Sequence, residues 1–209
     1  MSRKGVLTII SGFSGAGKGT LVKELVKEHD YSLSISATTR KPREGEVHGR
    51  EYFFLTREEF ECMIEGGQLI EWTEYVGNYY GTPRAYVEEQ LEQGKDVILE
   101  IEIEGALHVR NLFPDSLLLF ITPPDADELR KRLISRGTET MDVINKRLKR
   151  ASEEADFMKD YDFIIVNDCL KDCVDCIHQV ITNEHYKTTN QNAFIAEMKH
   201  ELEAFKEGE

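Results

Sequence analysis

The sequence has 209 residues, 40% of them hydrophobic and 31% charged, the balance of a globular chain long enough for one sizeable domain and too apolar for general disorder. Its formal net charge of -13 excludes a general electrostatic grip on nucleic acid, which needs a basic surface. No apolar run approaches the ~18 residues that span a bilayer, and the opening MSRKGVLTII lacks a secretory leader pattern, so a cytoplasmic protein is expected, with neither membrane nor nucleic acid as partner.

Residues 6–11 form a strand run of the buried type, followed by a Gly-rich turn and a helical pattern over 20–29. Residues 31–37 read as a second strand. A polar, basic loop opens at Thr38, holds Pro42, Gly45 and Gly49, and leads to a short strand over 52–55. Thr56 has the character of an N-cap with Glu59 as its capping-box partner, and its helix ends at Gly66-Gly67. Residues 69–75 alternate as a strand, Gly77-Asn78 form a turn, and Thr82 with Pro83 starts a helix that runs to Gly94. Strands follow at 97–101 and 117–121, then a helix from Asp125 to Ser135, a long helix over 141–158 and a last strand at 163–166. The tail from 188 carries Phe194, Ile195, Met198, Leu202 and Phe205 in a helical stripe, expected to pack on the domain. Strands separated by helices predict an α/β fold with a mostly parallel sheet core flanked by helices.

Cys169, Cys173 and Cys176 show a spacing that some iron–sulfur sites use, with His178 close by. They lie on the helical apolar period of Leu170, Val174, Ile177, Val180 and Ile181, so they are expected to serve as small core or surface residues. With Cys62 they make four thiols, and no disulfide framework is expected.

The sharpest local signal is Gly12-Phe13-Ser14-Gly15-Ala16-Gly17-Lys18-Gly19-Thr20, between a strand run and a helix. This is the strand–loop–helix context of a phosphate-binding P-loop. Glycines let successive N–H groups close around phosphate oxygens, and the helix N-terminus adds its positive end. Lys18 supplies a point charge for β- and γ-phosphates. Gly19 stands where the motif has its hydroxyl, which arrives one residue later at Thr20. Direct contact of Thr20 with Mg2+, contact through water, and contact with a phosphate are all open at this point. A dinucleotide fold is disfavoured, because Thr20 stands where its third Gly or Ala should be.

Two basic clusters stand out in this acidic chain. Arg40, Lys41, Arg43 and Arg50 gather around Pro42, which stiffens the loop. Two arginines on a stiff loop make a fork-like receptor for phosphate. The second cluster holds Arg130, Lys131, Arg132 and Arg136, then Lys146, Arg147, Lys149 and Arg150, with Gly137-Thr138 between as a hinge. It reads as a lid that closes over ATP, the alternative being a solvated helix face.

At this point the residues resemble a family. Gly12 to Thr20, Ser36-Ala37-Thr38-Thr39-Arg40-Lys41-Pro42-Arg43, Gly49-Arg50-Glu51-Tyr52, Ile70-Glu71-Trp72, Gly77-Asn78-Tyr79-Tyr80-Gly81, Arg136-Gly137-Thr138 and Ile165-Val166-Asn167-Asp168 closely resemble guanylate kinase, in the family's order and up to about residue 185. The resemblance implies the P-loop NTPase fold, with a lid over about 132–150 and a small nucleotide-monophosphate-binding subdomain over about 36–95. The domain would cover 1–187, with a helical tail over 188–209. The resemblance further implies transfer of the ATP γ-phosphate to GMP, with Mg2+ as cofactor. By the same resemblance Arg40, Arg43, Tyr52 and Tyr80 bind the GMP phosphate, and Ser36, Glu71 and Thr82 read guanine. Arg132, Arg136 and Arg147 neutralise the transferring group, and Asn167 is a candidate on the adenine side. The family often has aspartates and a Gln where this chain reads Glu100-Ile101-Glu102-Ile103-Glu104. Glu100 and Glu102 are candidates for the Mg2+ shell, and Glu104 is given no role. The competing reading is a non-catalytic guanylate-kinase-like interaction module, disfavoured by the intact cradle. A kinase for another monophosphate is disfavoured by Glu71.

Overall fold

The computed structural model describes residues 4–75, 77–135, 140–203 and 205–206. Two sheets make the frame. The core sheet has the strand order β2-β7-β1-β8-β9, formed by Ser32–Leu33, Val97–Glu100, Leu7–Gly12, Leu117–Thr122 and Phe163–Val166. Each of these neighbouring strands runs parallel to the next. The central strand β1, LTIISG, is buried at every position, as a parallel strand covered on both faces must be. The helices α1 (Lys18–Glu28), α4 (Ile103–Leu112), α5 (Ala126–Ser135), α6 (Met141–Glu154) and α7 (Leu170–Glu184) belong to this core. Ile9, Ile10, Leu21, Leu25, Ile98, Leu99, Leu118 and Leu119 are no more than 1% exposed and fill its centre.

The second sheet, β4-β3-β6-β5, is small and mixed. It consists of β3 (Ala37–Thr38), β4 (Phe53–Phe54), β5 (Leu69–Tyr75) and β6 (Asn78–Pro83), with α2 (Arg57–Glu65) and its own cluster around Ala37, Phe60 and Leu69. Helix α2 begins at the expected cap: Glu59 N donates to Thr56 Oγ1, and Thr56 N donates to Glu59 Oε2. Helix α3 (Arg84–Glu92) returns the chain to the core. Helix α5 starts where expected, with Glu128 N donating to Asp125 Oδ1 at 2.7 Å.

Several elements differ from the sequence pattern. The run 31–37 is two strands in two sheets: β2 pairs with β7 and β3 with β4 and β6. Ser36 lies on the crossing between them. Residues 78–83 form strand β6, so Thr82 and Pro83 end a strand, and helix α3 starts only at Arg84. The long helix stops at Glu154 and continues as a 3-10 helix over Ala155–Asp160. The tail helix α8 (Asn192–Glu203) buries no residue, and Phe194, Met198 and Leu202 are exposed, so the expected packing of its stripe is not found.

Among the described residues no helix is long and apolar enough to cross a membrane. The four thiols are free; Cys173 is buried, and Cys62, Cys169 and Cys176 are exposed.

Candidate functional site

The carboxyl ends of parallel strands, where ligands of open α/β sheets collect, here carry Gly12, Glu100 and, one residue beyond β9, Asn167. Between β1 and α1 the loop turns through glycines with positive φ, 97° at Gly15 and 91° at Gly17. Gly17 also has no room for a side chain, because a Cβ there would stand 2.7 Å from Asn167 Nδ2. Lys18 Nζ donates to Gly12 O at 2.7 Å and to Phe13 O at 3.3 Å, so the ammonium is folded over the loop. Ser14, Gly15, Gly17, Lys18, Gly19, Thr20, Glu100 and Glu102 line one cavity of about 440 Å³. Phe13 and Ala16 are buried behind it.

Thr20, Glu100 and Glu102 form an oxygen donor set suited to a hard divalent cation. Glu100 lies over Gly19, with both carboxylate oxygens 3.8 Å from where a Cβ would be. Desolvation in the concave wall pushes its carboxyl up, Lys18 opposes this, and Glu102 adds to it. Two carboxylates facing a phosphate cradle fit Mg2+, which keeps waters and takes its other ligands from substrate phosphates. Among the described residues no group of three or more His, Cys, Asp or Glu forms a site that holds a metal on its own.

Asn167 stands behind the cradle. It is 7% exposed, and its Nδ2 donates to Ala16 O at 2.8 Å. Its amide therefore supports the loop. Of the lid arginines, Arg147 on α6 reaches the rim, its Nη1 donating to Ser14 Oγ at 3.3 Å. Arg132 on α5 is tied to Glu128 Oε1 at 2.8 Å. Arg136 and the hinge Gly137-Thr138 lie outside the described residues. Arg150, from the second basic cluster, stands 3.6 Å from Glu102 and 2.7 Å from Glu154, tying α6 to the acidic wall.

The small sheet gathers a second group. The Arg40 guanidinium is centred 5.4 Å from the Tyr52 ring, and the Tyr52 and Tyr80 rings are 6.2 Å apart. Burial, and then Tyr80, push the Tyr52 hydroxyl up, so it is a neutral donor at physiological pH. Arg43 is exposed on the same loop. Glu46, an acid inside the basic cluster, contacts both arginines; its only sequence signal is its place three residues after Arg43.

Glu71 is aimed by a bulge. Leu69 pairs with Pro83 and Trp72 with Gly81, so Ile70 and Glu71 together oppose Thr82 alone. Such an extra residue bends a strand and redirects a side chain. Ile70 is fully buried, and Glu71 beside it is half-buried. There Thr82 Oγ1 donates to Glu71 Oε1 at 2.7 Å. Glu71 Oε2 lies 3.4 Å from where a Cβ of Gly105 on α4 would be, which brings the carboxylate against the core domain. Burial pushes the Glu71 carboxyl up, and the Thr82 hydroxyl partly opposes this. Thr82 itself is 0% exposed and acts on Glu71.

The comparisons with known proteins agree with this arrangement. The family model described as guanylate kinase matches residues 4–184. A guanylate kinase of Halalkalibacterium halodurans is 53% identical over 186 residues, covering 88% of this chain and 91% of its own. That of Bacillus subtilis is 50% identical over 189 residues, covering 90% and 93%. The crystal structure of guanylate kinase from Anaplasma phagocytophilum superposes with a TM-score of 0.70 at 31% identity, over 90% of this chain and 89% of that one. A cradle, an acidic wall and a carboxylate set by a bulge thus sit on a frame shared over nearly its whole length, and the chain belongs to the guanylate kinase family.

Proposed function

We propose that the chain transfers the γ-phosphoryl group of ATP to GMP, giving ADP and GDP, and that it does so with Mg2+ in the cytoplasm. The observation that carries the reading is the pairing of two receptors on one chain: a P-loop cradle with Lys18 and a bulge-set carboxylate at Glu71 beside an arginine–tyrosine cluster. Exposed free thiols at Cys62, Cys169 and Cys176 suit a reducing compartment.

Phosphoryl transfer needs alignment and charge neutralisation more than covalent help. The loop N–H groups from Gly12 to Thr20 hold the ATP phosphates, and Lys18 brings positive charge to them. Bound Mg2+ would be held by Glu100, Glu102 and Thr20 and would supply further positive charge to the site. In the small subdomain, over about 36–95, Arg40, Arg43, Tyr52 and Tyr80 hold the GMP phosphate. Ser36 and Glu71 face the base, with Thr82 orienting Glu71. Arg132, Arg136 and Arg147 belong to a lid over about 132–150, which excludes water as it closes. Asn167 keeps the cradle in shape and borders the adenine side.

A thermal-shift panel separates this reading from a non-catalytic interaction module. A ligand at 100 times its Kd stabilises by about 2.7 kcal/mol. ATP and GMP are expected to raise the melting temperature, each without the other, while AMP on its own at the GMP concentration and a phosphopeptide leave it in place. A shift with the phosphopeptide and none with GMP would overturn the proposal.

A further inference from the structure

We propose that Glu46 is a positioning residue for the phosphate of GMP, one that holds Arg40 so that the receptor is formed before the nucleotide arrives. The inference rests on the reading of this site as the GMP site. Arg40 and Glu46 lie between β3 and β4, where the chain has no helix and only an isolated bridge between His48 and Tyr52. Lys41, Arg43, Glu44, Val47 and Arg50 in this stretch are exposed. Arg40 and Glu46 are not: their side chains are 16% and 18% exposed.

The contacts explain the difference. Arg40 Nη2 lies 3.0 Å from each carboxylate oxygen of Glu46. The same carboxylate accepts from the Arg43 amide at 2.7 Å, and the Glu46 amide donates to Arg43 O at 3.1 Å. One side chain thus closes the turn over residues 43–46 and grips Arg40. On its other branch the guanidinium donates from Nη1 to Lys41 O at 2.8 Å. Its central carbon stands over the ring of Tyr52 and over that of Phe54, whose centre is 5.8 Å away. The Arg43 amide, and after it Arg40, hold the Glu46 carboxyl below the usual carboxylate range.

Two effects of opposite sign compete here. A carboxylate beside the receptor repels an incoming phosphate, while an arginine already fixed in one rotamer loses less freedom when it binds. The geometry decides between them. A guanidinium has five N–H donors, and Glu46 engages it only through Nη2 and Lys41 only through Nη1. The Nε–H and the second N–H of each terminal nitrogen are not spent on these two partners. Tyr80 interacts with the same guanidinium, so an anion that meets those N–H groups finds tyrosines beside them. Glu46 therefore orients the arginine without filling it.

The test is steady-state kinetics on the full chain with Glu46→Ala and Glu46→Gln. Glu46→Ala is expected to raise the GMP KM at least about tenfold, with kcat lowered less than about threefold and the ATP KM unchanged. Gln keeps the shape and one acceptor oxygen, so its GMP KM should fall between parent and Ala. Guanosine lacks the phosphate, and its inhibition constant against GMP should be the same in all three proteins. An unchanged or lowered GMP KM would overturn the proposal, the second showing that Glu46 competes with phosphate. A guanosine constant that rises in step with the GMP KM would also overturn it, as a general collapse of the site. If the Ala variant melts below the assay temperature, the Gln variant carries the same comparison. A folded parent with no GMP turnover would overturn the underlying function and the inference with it.

Discussion

Replacing Lys18 by Met is expected to lower kcat by about 10²- to 10³-fold, since one preorganised donor aimed at developing charge is worth that much. The ammonium already lies 2.7 Å from Gly12 O and 3.3 Å from Phe13 O. Phosphates entering the cradle exchange those carbonyls for anionic oxygens, and the charge on Lys18 grows in value as the γ-phosphoryl group comes away. Met keeps the length and apolar body of the side chain, so the loop stays packed while the charge is lost. The GMP KM should change little, because the small sheet does not use Lys18. Initial rates at saturating ATP and GMP, beside a melting curve for each protein, check the expectation. A folded Lys18→Met variant with the parent's kcat would remove the cradle from the chemistry.

Replacing Glu71 by Gln is expected to lower kcat/KM for GMP at least about 10²-fold, because an unmatched buried donor pair costs a few kcal/mol. Guanine offers two adjacent donors, N1–H and the 2-amino group, and one carboxylate accepts from both. Gln turns one acceptor into a donor. Adenine has a bare acceptor at N1, so a site that reads donors rejects it by as much as about 10⁴. The ATP KM should hold, since ATP binds the cradle. The loss is not a folding effect, and the pH linkage shows why. Burial raises the folded-state pKa of Glu71, so the folded chain binds its proton more tightly than the unfolded chain does. Stability from this group is full below the unfolded value and is lost as pH rises through the folded one. At neutral pH the ionised carboxylate therefore costs stability that Gln does not. The Gln variant should melt at or above the parent temperature at pH 7 and lose that advantage as the pH is lowered. Parallel kinetics and melting curves test both halves, and a variant that phosphorylates GMP as well as the parent would show that Glu71 does not read the base.

Much of this fold was legible because each signal had a local cause. The cap at Thr56 is a side-chain contact between residues three apart, and β1 carries Leu7, Ile9 and Ile10 close together because both its faces are covered. What escaped depends on contacts distant in sequence. Alternation over 69–75 would leave Glu71 as a solvent-facing strand residue, and only the pairing with β6 shows the bulge that turns it inward. Strand β6 was hidden because Gly77-Asn78 and Thr82-Pro83 look like punctuation, yet Asn78 and Pro83 pair with β5 at its two ends, and Tyr80 and Gly81 between them pair with both β5 and β3. Helix α4 has a weak signature: Glu100 to Glu104 alternates as a strand does, and Gly105 interrupts the helical pattern in its first turn. The P-loop was plain in the sequence because its glycines and lysine are contiguous. The support given by Asn167 to Ala16 spans 151 residues and had no local signal. Glu46 likewise reads as one more acid in an acidic chain until its carboxylate is placed against Arg40.

The most direct measurement is chromatographic analysis of the nucleotides after the purified chain is incubated with ATP, Mg2+ and either GMP or AMP. GDP and ADP should form in equal amounts from GMP, with at least about 10²-fold lower efficiency on AMP and no product when the divalent cation is chelated. A folded protein that forms no GDP under these conditions, or that uses AMP as well as GMP, would contradict the account.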